Sequence, residues 1–229
     1  MSTASSIRTE PVSGLSYRVL EPAPAKPAAL VVLLHGVGGN ETNLVDLVID
    51  RADDTLVVLV RSRLTLAPDQ YAWFRVGFTP SGPQIVPEEA EQSRLALIQM
   101  VATLQAEHGI APARTVIAGF SQGGILSASV GLSSPDSVAG FAVLSGRILP
   151  EIEPNLASND RLAKLHVLIA HGRADGTLPV AWADRSHDWL GRLGVPHDVK
   201  LYQGGHMVTA EMQHDFNTWL ATRLASHGE

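Results

Sequence analysis

The stretch Thr115-Val116-Ile117-Ala118-Gly119-Phe120-Ser121-Gln122-Gly123-Gly124-Ile125 decides how this chain is read. Thr115 to Phe120 is a short run of β-branched and aliphatic residues, the composition of a strand buried on both faces of a sheet. Gln122 to Ser133 then reads as helix, which leaves Ser121 in the turn between the two. Gly119-Phe120-Ser121-Gln122-Gly123 fits G-x-S-x-G, a pattern in which a sharp strand-to-helix turn presents a serine hydroxyl at the sheet edge. Bulky flanks would block such a turn, and Gly119, Gly123 and Gly124 remove them. The turn also sets Ser121 at a helix N-terminus, where unpaired N–H groups and the helix dipole favour developing negative charge. A serine between glycines also occurs in plain tight turns. The strand before it, the helix after it and the residues downstream favour a nucleophile.

Working outward, Ala28 to Leu34 and Thr55 to Val60 are nearly continuous aliphatic runs, and Leu44, Leu47 and Val48 recur at helical spacing between them. Asn40 to Ala52 is therefore predicted as a helix, making a βαβ unit. A long helix follows from Pro87 to about His108, ended by Gly109. Further strands are predicted at Val138 to Leu144, Leu165 to Ala170 and Asp198 to Gln203, with helices around Val180 to Leu193 and Thr209 to Ala225. Tyr17 to Leu20 suits an antiparallel edge strand, joined to the core by the Pro-rich connector Glu21 to Ala29. This alternation predicts an α/β fold: one domain over residues 1–229, a mainly parallel sheet and helices on both faces.

The chain of 229 residues is 45% hydrophobic and 17% charged, enough apolar content for one substantial core. No run of roughly 18 apolar residues appears, so no stable membrane insertion is expected. The polar start, Met1 to Glu10, lacks the apolar centre of a secretory signal, which points to a cytoplasmic location. Cysteine is absent, so disulfides, thiolate nucleophiles and thiolate metal ligands are excluded. A formal charge of −6 without a dense basic run argues against nucleic acid as a partner and favours a small-molecule substrate.

A serine hydroxyl needs a base, and the base needs a third group to fix its tautomer and stabilise its cation. Asp175, in His171-Gly172-Arg173-Ala174-Asp175, lies in a turn beyond one predicted strand end. His206, in Gly204-Gly205-His206, lies beyond another, and the chain order Ser, Asp, His is that of one known triad arrangement. All three fall outside carboxyl ends of strands, where sites in open α/β sheets form. Among the other histidines, His171 is expected to be structural, His166 a satisfied strand residue, and His108, His187, His197, His214 and His227 solvated. No H-E-x-x-H or close histidine pairing suggests a metal site. Acyl transfer further requires donors for the oxyanion, and the N–H of Gln122 and that of Val37, in His35-Gly36-Val37-Gly38-Gly39, are placed for it. That glycine run matches neither nucleotide fingerprint.

The long segment Ser62 to Pro87 is predicted as an irregular loop. Tyr71, Trp73, Phe74 and Phe78 cluster in it, either lining an apolar substrate pocket or anchoring the loop to the core.

Together, Leu34-His35-Gly36-Val37-Gly38-Gly39-Asn40-Glu41, Trp73-Phe74, Gly119-Phe120-Ser121-Gln122-Gly123-Gly124, His171-Gly172-x-x-Asp175 with Pro179, and Gly205-His206 resemble the phospholipase/carboxylesterase family of α/β-hydrolases. The resemblance covers nearly the whole chain and implies a triad of Ser121, Asp175 and His206, an oxyanion hole from Val37 and Gln122, and no cofactor. It implies cleavage of small to medium acyl esters, with lysophospholipids or thioesters as further substrates, and it leaves room for a homodimer that no heptad or exposed edge demonstrates. Arg75 departs from the acidic residue that many relatives carry after Trp-Phe. Two other readings stand beside the esterase: a peptidase or amidase on the same triad, and a small-molecule-binding protein without turnover.

Overall fold

The computed structural model describes residues 3–49, 51–79 and 82–225. Two short strands, β1 (Thr3–Ala4) and β2 (Arg8–Thr9), pair with β3 (Ser16–Glu21), which runs antiparallel to β5 (Thr55–Arg61). From β5 the sheet continues in parallel through β4 (Ala29–Leu34), β10 (Thr115–Phe120), β11 (Gly140–Leu144), β12 (His166–Gly172) and β13 (His197–Tyr202). Two hairpins stand outside this sheet: β6 (Leu64–Ala67) with β7 (Gln70–Ala72), and β8 (Val76–Thr79) with β9 (Gly82–Ile85). The helices are α1 (Pro87–His108), α2 (Gln122–Ser133), α3 (Asn159–Leu162), α4 (Ala181–Leu193) and α5 (Ala210–Leu224).

The central strands β4, β5, β10 and β11 are almost continuously apolar because both faces are covered. Leu30, Val32, Leu34 and Ile117 pack with residues of α1, α2 and α4, whereas the alternate Val31, Leu33, Val116 and Ala118 pack with Met212, Phe216 and Trp219 of α5. The helix α1 ends at Gly109, whose φ of 65° is the left-handed cap conformation expected of a glycine there.

Three expectations are corrected. The strand over Tyr17 to Leu20 is antiparallel as expected but is not the sheet edge, because β1 and β2 pair along its outer side. The described residues of Asn40 to Ala52 form no helix: residues 41–47 form successive turns closed by hydrogen bonds three residues apart, such as Val45 N–H to Thr42 O. The Asn40 side chain accepts from both the N–H and the hydroxyl of Thr42, a local turn that competes with helix formation. Leu44, Leu47 and Val48 are nonetheless buried. The described residues of Ser62 to Pro87 are likewise not irregular, since they carry the two hairpins.

The chain passes from β4 to β5 on one side and then returns to add β10 on the other. The strands β4 and β10 stay paired to their carboxyl ends, but the connections leaving them run to opposite sides, which leaves a crevice there, the place where open α/β sheets form sites.

Candidate active site

Ser121 stands at that crevice, directly after β10. Its φ of 53° and ψ of −117° are unusual for a residue with a side chain and cost on the order of 1–3 kcal/mol, which the surrounding packing must hold in place. Two glycines make the turn possible. A Cβ on Gly119 would lie 2.3 Å from the Gly123 carbonyl carbon, and one on Gly123 would lie 2.0 Å from the Leu34 carbonyl oxygen. Only bare backbone lets α2 start so close to β4.

The structure brings Ser121, His206 and Asp175 together from three strand ends. The Ser121 hydroxyl lies 2.9 Å from His206 Nε2, and His206 Nδ1 lies 2.7 Å from Asp175 Oδ2. The other carboxylate oxygen, Oδ1, accepts from the N–H groups of Thr177 and Leu178 at 2.9 and 2.8 Å. Burial by itself would raise the Asp175 pKa, but the hydrogen bonds from His206 and from these two amides, with the nearby imidazole charge, hold it below the ordinary carboxylate value. An ionised carboxylate can only accept, so Nδ1 carries the hydrogen and Nε2 is left to accept from Ser121. Phe120 packs against the His206 ring with centroids 4.8 Å apart.

His171 is fully buried, with Nε2 2.8 Å from the Leu178 carbonyl and 3.3 Å from Asp175 Oδ2. Both partners are acceptors, so Nε2–H donates and ties down the turn that carries Asp175. His166 accepts from Trp219 Nε1 at 3.2 Å, and His187 and His197 pair with each other at 2.8 Å on the surface. His227 lies outside the described residues.

The loop after β4 faces the serine so closely that a Cβ on Gly36 would lie 3.3 Å from the Ser121 Cβ. Four hydrogen bonds fix this loop. His35 donates from Nδ1 to the Gly36 carbonyl at 2.7 Å and accepts at Nε2 from the Ser62 N–H at 3.2 Å. Burial pushes the His35 pKa below its ordinary value, consistent with one nitrogen donating and one accepting. Gly38 N–H donates to Tyr71 O at 2.8 Å, and Tyr71 N–H donates back to Gly39 O at 2.9 Å. Beyond them the buried Glu41 carboxylate takes Arg18 at 2.7 Å and Arg61 at 2.6 Å. Among the described residues, the N–H groups of Val37 and Gln122 have no hydrogen-bond acceptor, and both residues line the cleft at Ser121. Their side chains differ: Val37 is 45% exposed, whereas Gln122 is buried.

The aromatic loop divides its roles. Trp73 is fully buried, its indole N–H donating to the His35 carbonyl at 2.9 Å, so it supports the loop after β4 from behind. Phe74 lines the cleft. The Phe78 side chain lies outside the described residues. Arg75 points away, 68% exposed and paired with Glu89 at 3.2 Å, so it does not enter the cleft. Sequence reasoning missed Arg147, a buried cleft residue two positions beyond the strained Ser145, whose φ is 48°. No local pattern marks it, because its burial comes from contacts distant in sequence.

Among the described residues, no three His, Asp or Glu side chains gather as metal ligands, and no helix is long and apolar enough to cross a membrane.

The chain is similar to known proteins over its whole core. It is 27% identical over 158 residues to acyl-protein thioesterase 1 of Kluyveromyces lactis, covering 67% of this chain and 69% of that protein. It is 32% identical over 119 residues to a probable carboxylesterase SOBER1-like protein of Arabidopsis thaliana, covering 52% of this chain but only 45% of the relative's length. The crystal structure of esterase PE8 superposes with a TM-score of 0.80 at 27% identity, covering 92% of this chain and 99% of that one. The model of the phospholipase/carboxylesterase family matches residues 16–224. With that match across the sheet and both sides of the crevice, the chain belongs to the phospholipase/carboxylesterase family of α/β-hydrolase enzymes.

Proposed function

We propose that this protein hydrolyses carboxylic esters of small to medium acyl groups by acyl transfer through Ser121. The observation that carries the reading is the unbroken chain from Ser121 Oγ to His206 at 2.9 Å and from His206 to Asp175 at 2.7 Å, opening on a cleft. As Ser121 Oγ attacks the ester carbonyl carbon, its proton passes to His206 Nε2, and Asp175 stabilises the imidazolium. The carbonyl oxygen becomes an oxyanion, received by the free N–H groups of Val37 and Gln122. Collapse expels the alcohol, which takes the proton from His206 and leaves an acyl-serine. Water then attacks the acyl group while His206 accepts its proton, and the second collapse releases the acid and restores Ser121. A thioester would follow the same steps, and two of the relatives' names, carboxylesterase and acyl-protein thioesterase, fit this substrate range.

The test is hydrolysis of p-nitrophenyl esters from acetate to dodecanoate by the protein and its Ser121→Ala variant, with fluorophosphonate labelling alongside. A pocket enclosing the acyl chain should improve kcat/KM about fourfold per added carbon until it is full. Turnover and stoichiometric labelling, both lost in Ser121→Ala, are expected. Equal activity in the variant, or neither turnover nor labelling in the wild type, would overturn the proposal. An anilide turned over as fast as its matching ester would reassign the protein as an amidase.

A further inference from the structure

Arg147 is the one charged side chain among the described residues that line the cleft at Ser121. The walls around it are apolar, from Phe74, Val76, Ile85, Ile125 and Leu178. Arg147 is only 7% exposed, and burial pushes its pKa below the ordinary guanidinium value. A buried cation normally has a carboxylate or several carbonyls around it, because desolvation without compensation is costly. Here the compensation is incomplete. The Trp182 ring lies 4.6 Å from Arg147 Cζ and covers one face of the guanidinium, with Arg185 stacked at 4.5 Å on the same indole. A ring face takes none of the five N–H donors. Glu151 attracts Arg147 only from beyond hydrogen-bond distance, and among the described residues no acceptor bonds to the guanidinium.

The position of Arg147 is built in. The chain leaves β11 through Ser145 in a strained, positive-φ conformation. It then passes Gly146, where a Cβ would lie 3.0 Å from the Ser121 carbonyl oxygen. The segment that carries Arg147 is therefore packed against the backbone of the proposed nucleophile.

We infer that Arg147 is a specificity-determining residue whose unpaired, buried guanidinium receives a carboxylate of the substrate while the ester carbonyl lies at Ser121. The inference rests on the ester-hydrolase reading of Ser121 and narrows it to esters that carry one negative charge. A carboxylate fits better than a phosphate dianion, since a planar monoanion matches the guanidinium fork and the cleft wall offers no second cation.

Two substrate pairs test this and show which side of the ester holds the charge. For the acyl side, 4-nitrophenyl hydrogen adipate is compared with 4-nitrophenyl hexanoate. For the alcohol side, 4-(acetoxymethyl)benzoate is compared with 4-methylbenzyl acetate. The readout is the ratio of kcat/KM within a pair, which does not depend on how much of a variant is folded. The expected result is a wild-type ratio well above one in one pair, falling roughly tenfold to a hundredfold in Arg147→Gln, the range of a charge-assisted hydrogen bond. Arg147→Lys should keep part of the preference, having charge without the fork, and it carries the test if the glutamine variant does not fold. A wild-type ratio at or below one in both pairs, or a preference unchanged in both variants, would overturn the inference while leaving the ester-hydrolase reading intact. No turnover of any of the four esters, together with no fluorophosphonate labelling, would remove both.

Discussion

The Gln122 carboxamide oxygen accepts a 2.7 Å hydrogen bond from the Trp73 N–H, and this contact ties the start of α2 to the aromatic loop across the cleft. The same side chain donates from Nε2 to the Phe74 carbonyl at 2.7 Å, so one amide holds two consecutive residues. Gln122→Ala keeps the backbone N–H proposed for the oxyanion but leaves two buried loop groups unpaired. It should destabilise the protein by about 2–4 kcal/mol, read as a lower urea midpoint at unchanged m. KM should rise as Phe74 loses its fixed place.

Asp175→Asn should lower kcat by about four orders of magnitude while leaving the far-ultraviolet circular dichroism unchanged. An asparagine can present N–H toward His206, which would put the ring proton on Nε2 and prevent it from accepting from Ser121. Because the Asp175 carboxyl is held below its ordinary pKa of 3.8, wild-type activity lost on acidification above that pH should not come from Asp175. A kcat within tenfold of wild type in the asparagine variant would sink this role.

Glu41 makes a prediction about acid stability. Burial would raise its pKa, but the hydrogen bonds from Arg61 and Arg18 outweigh it and bring the pKa from 4.5 down to about 2. A folded-state pKa below the unfolded value contributes stability that is present above about pH 4.5 and is lost as pH falls toward 2. The contribution is on the order of 3 kcal/mol. Glu41→Gln should therefore be the less stable protein at pH 7, and the gap in urea midpoint should narrow between pH 4.5 and 2. A gap that stays constant across that range would show that the charge pairing is not what the substitution removes.

Gly123→Ala should abolish activity and destabilise the fold by roughly 3 kcal/mol or more, since its Cβ would fall 2.0 Å from a strand carbonyl that cannot move aside. Solubility and thermal melting check this directly. Gly191, where an added Cβ meets nothing within 4 Å, is the internal control and should accept alanine without loss.

Features set by near neighbours in sequence were the legible ones. The ends of α1, β10 and α2 follow from Gly109 and from the close glycine contacts around Ser121, and each matched its sequence expectation. The parallel sheet and the gathering of Ser121, Asp175 and His206 at strand ends were legible for a related reason: alternation and chain order already place those turns on one edge. Residues 41–47 misled because Leu44, Leu47 and Val48 can be buried by successive turns as well as by a helix, and the Asn40 side chain settles the choice locally. Arg147 and the Glu41 cluster were not legible, because a charge becomes buried only through partners distant in the chain.

All six residues of β4 are buried, whereas Val37, three positions past its end, is 45% exposed. A polar replacement anywhere from Ala29 to Leu34 would meet a packed layer, whichever face it pointed to. Beyond the strand ends, side chains such as Val37 can change with little loss of folding energy. The architecture thus separates two kinds of inheritance: the sheet tolerates few substitutions, while exposed side chains past its carboxyl edge, such as Val37, can drift and shift substrate choice without rebuilding the scaffold.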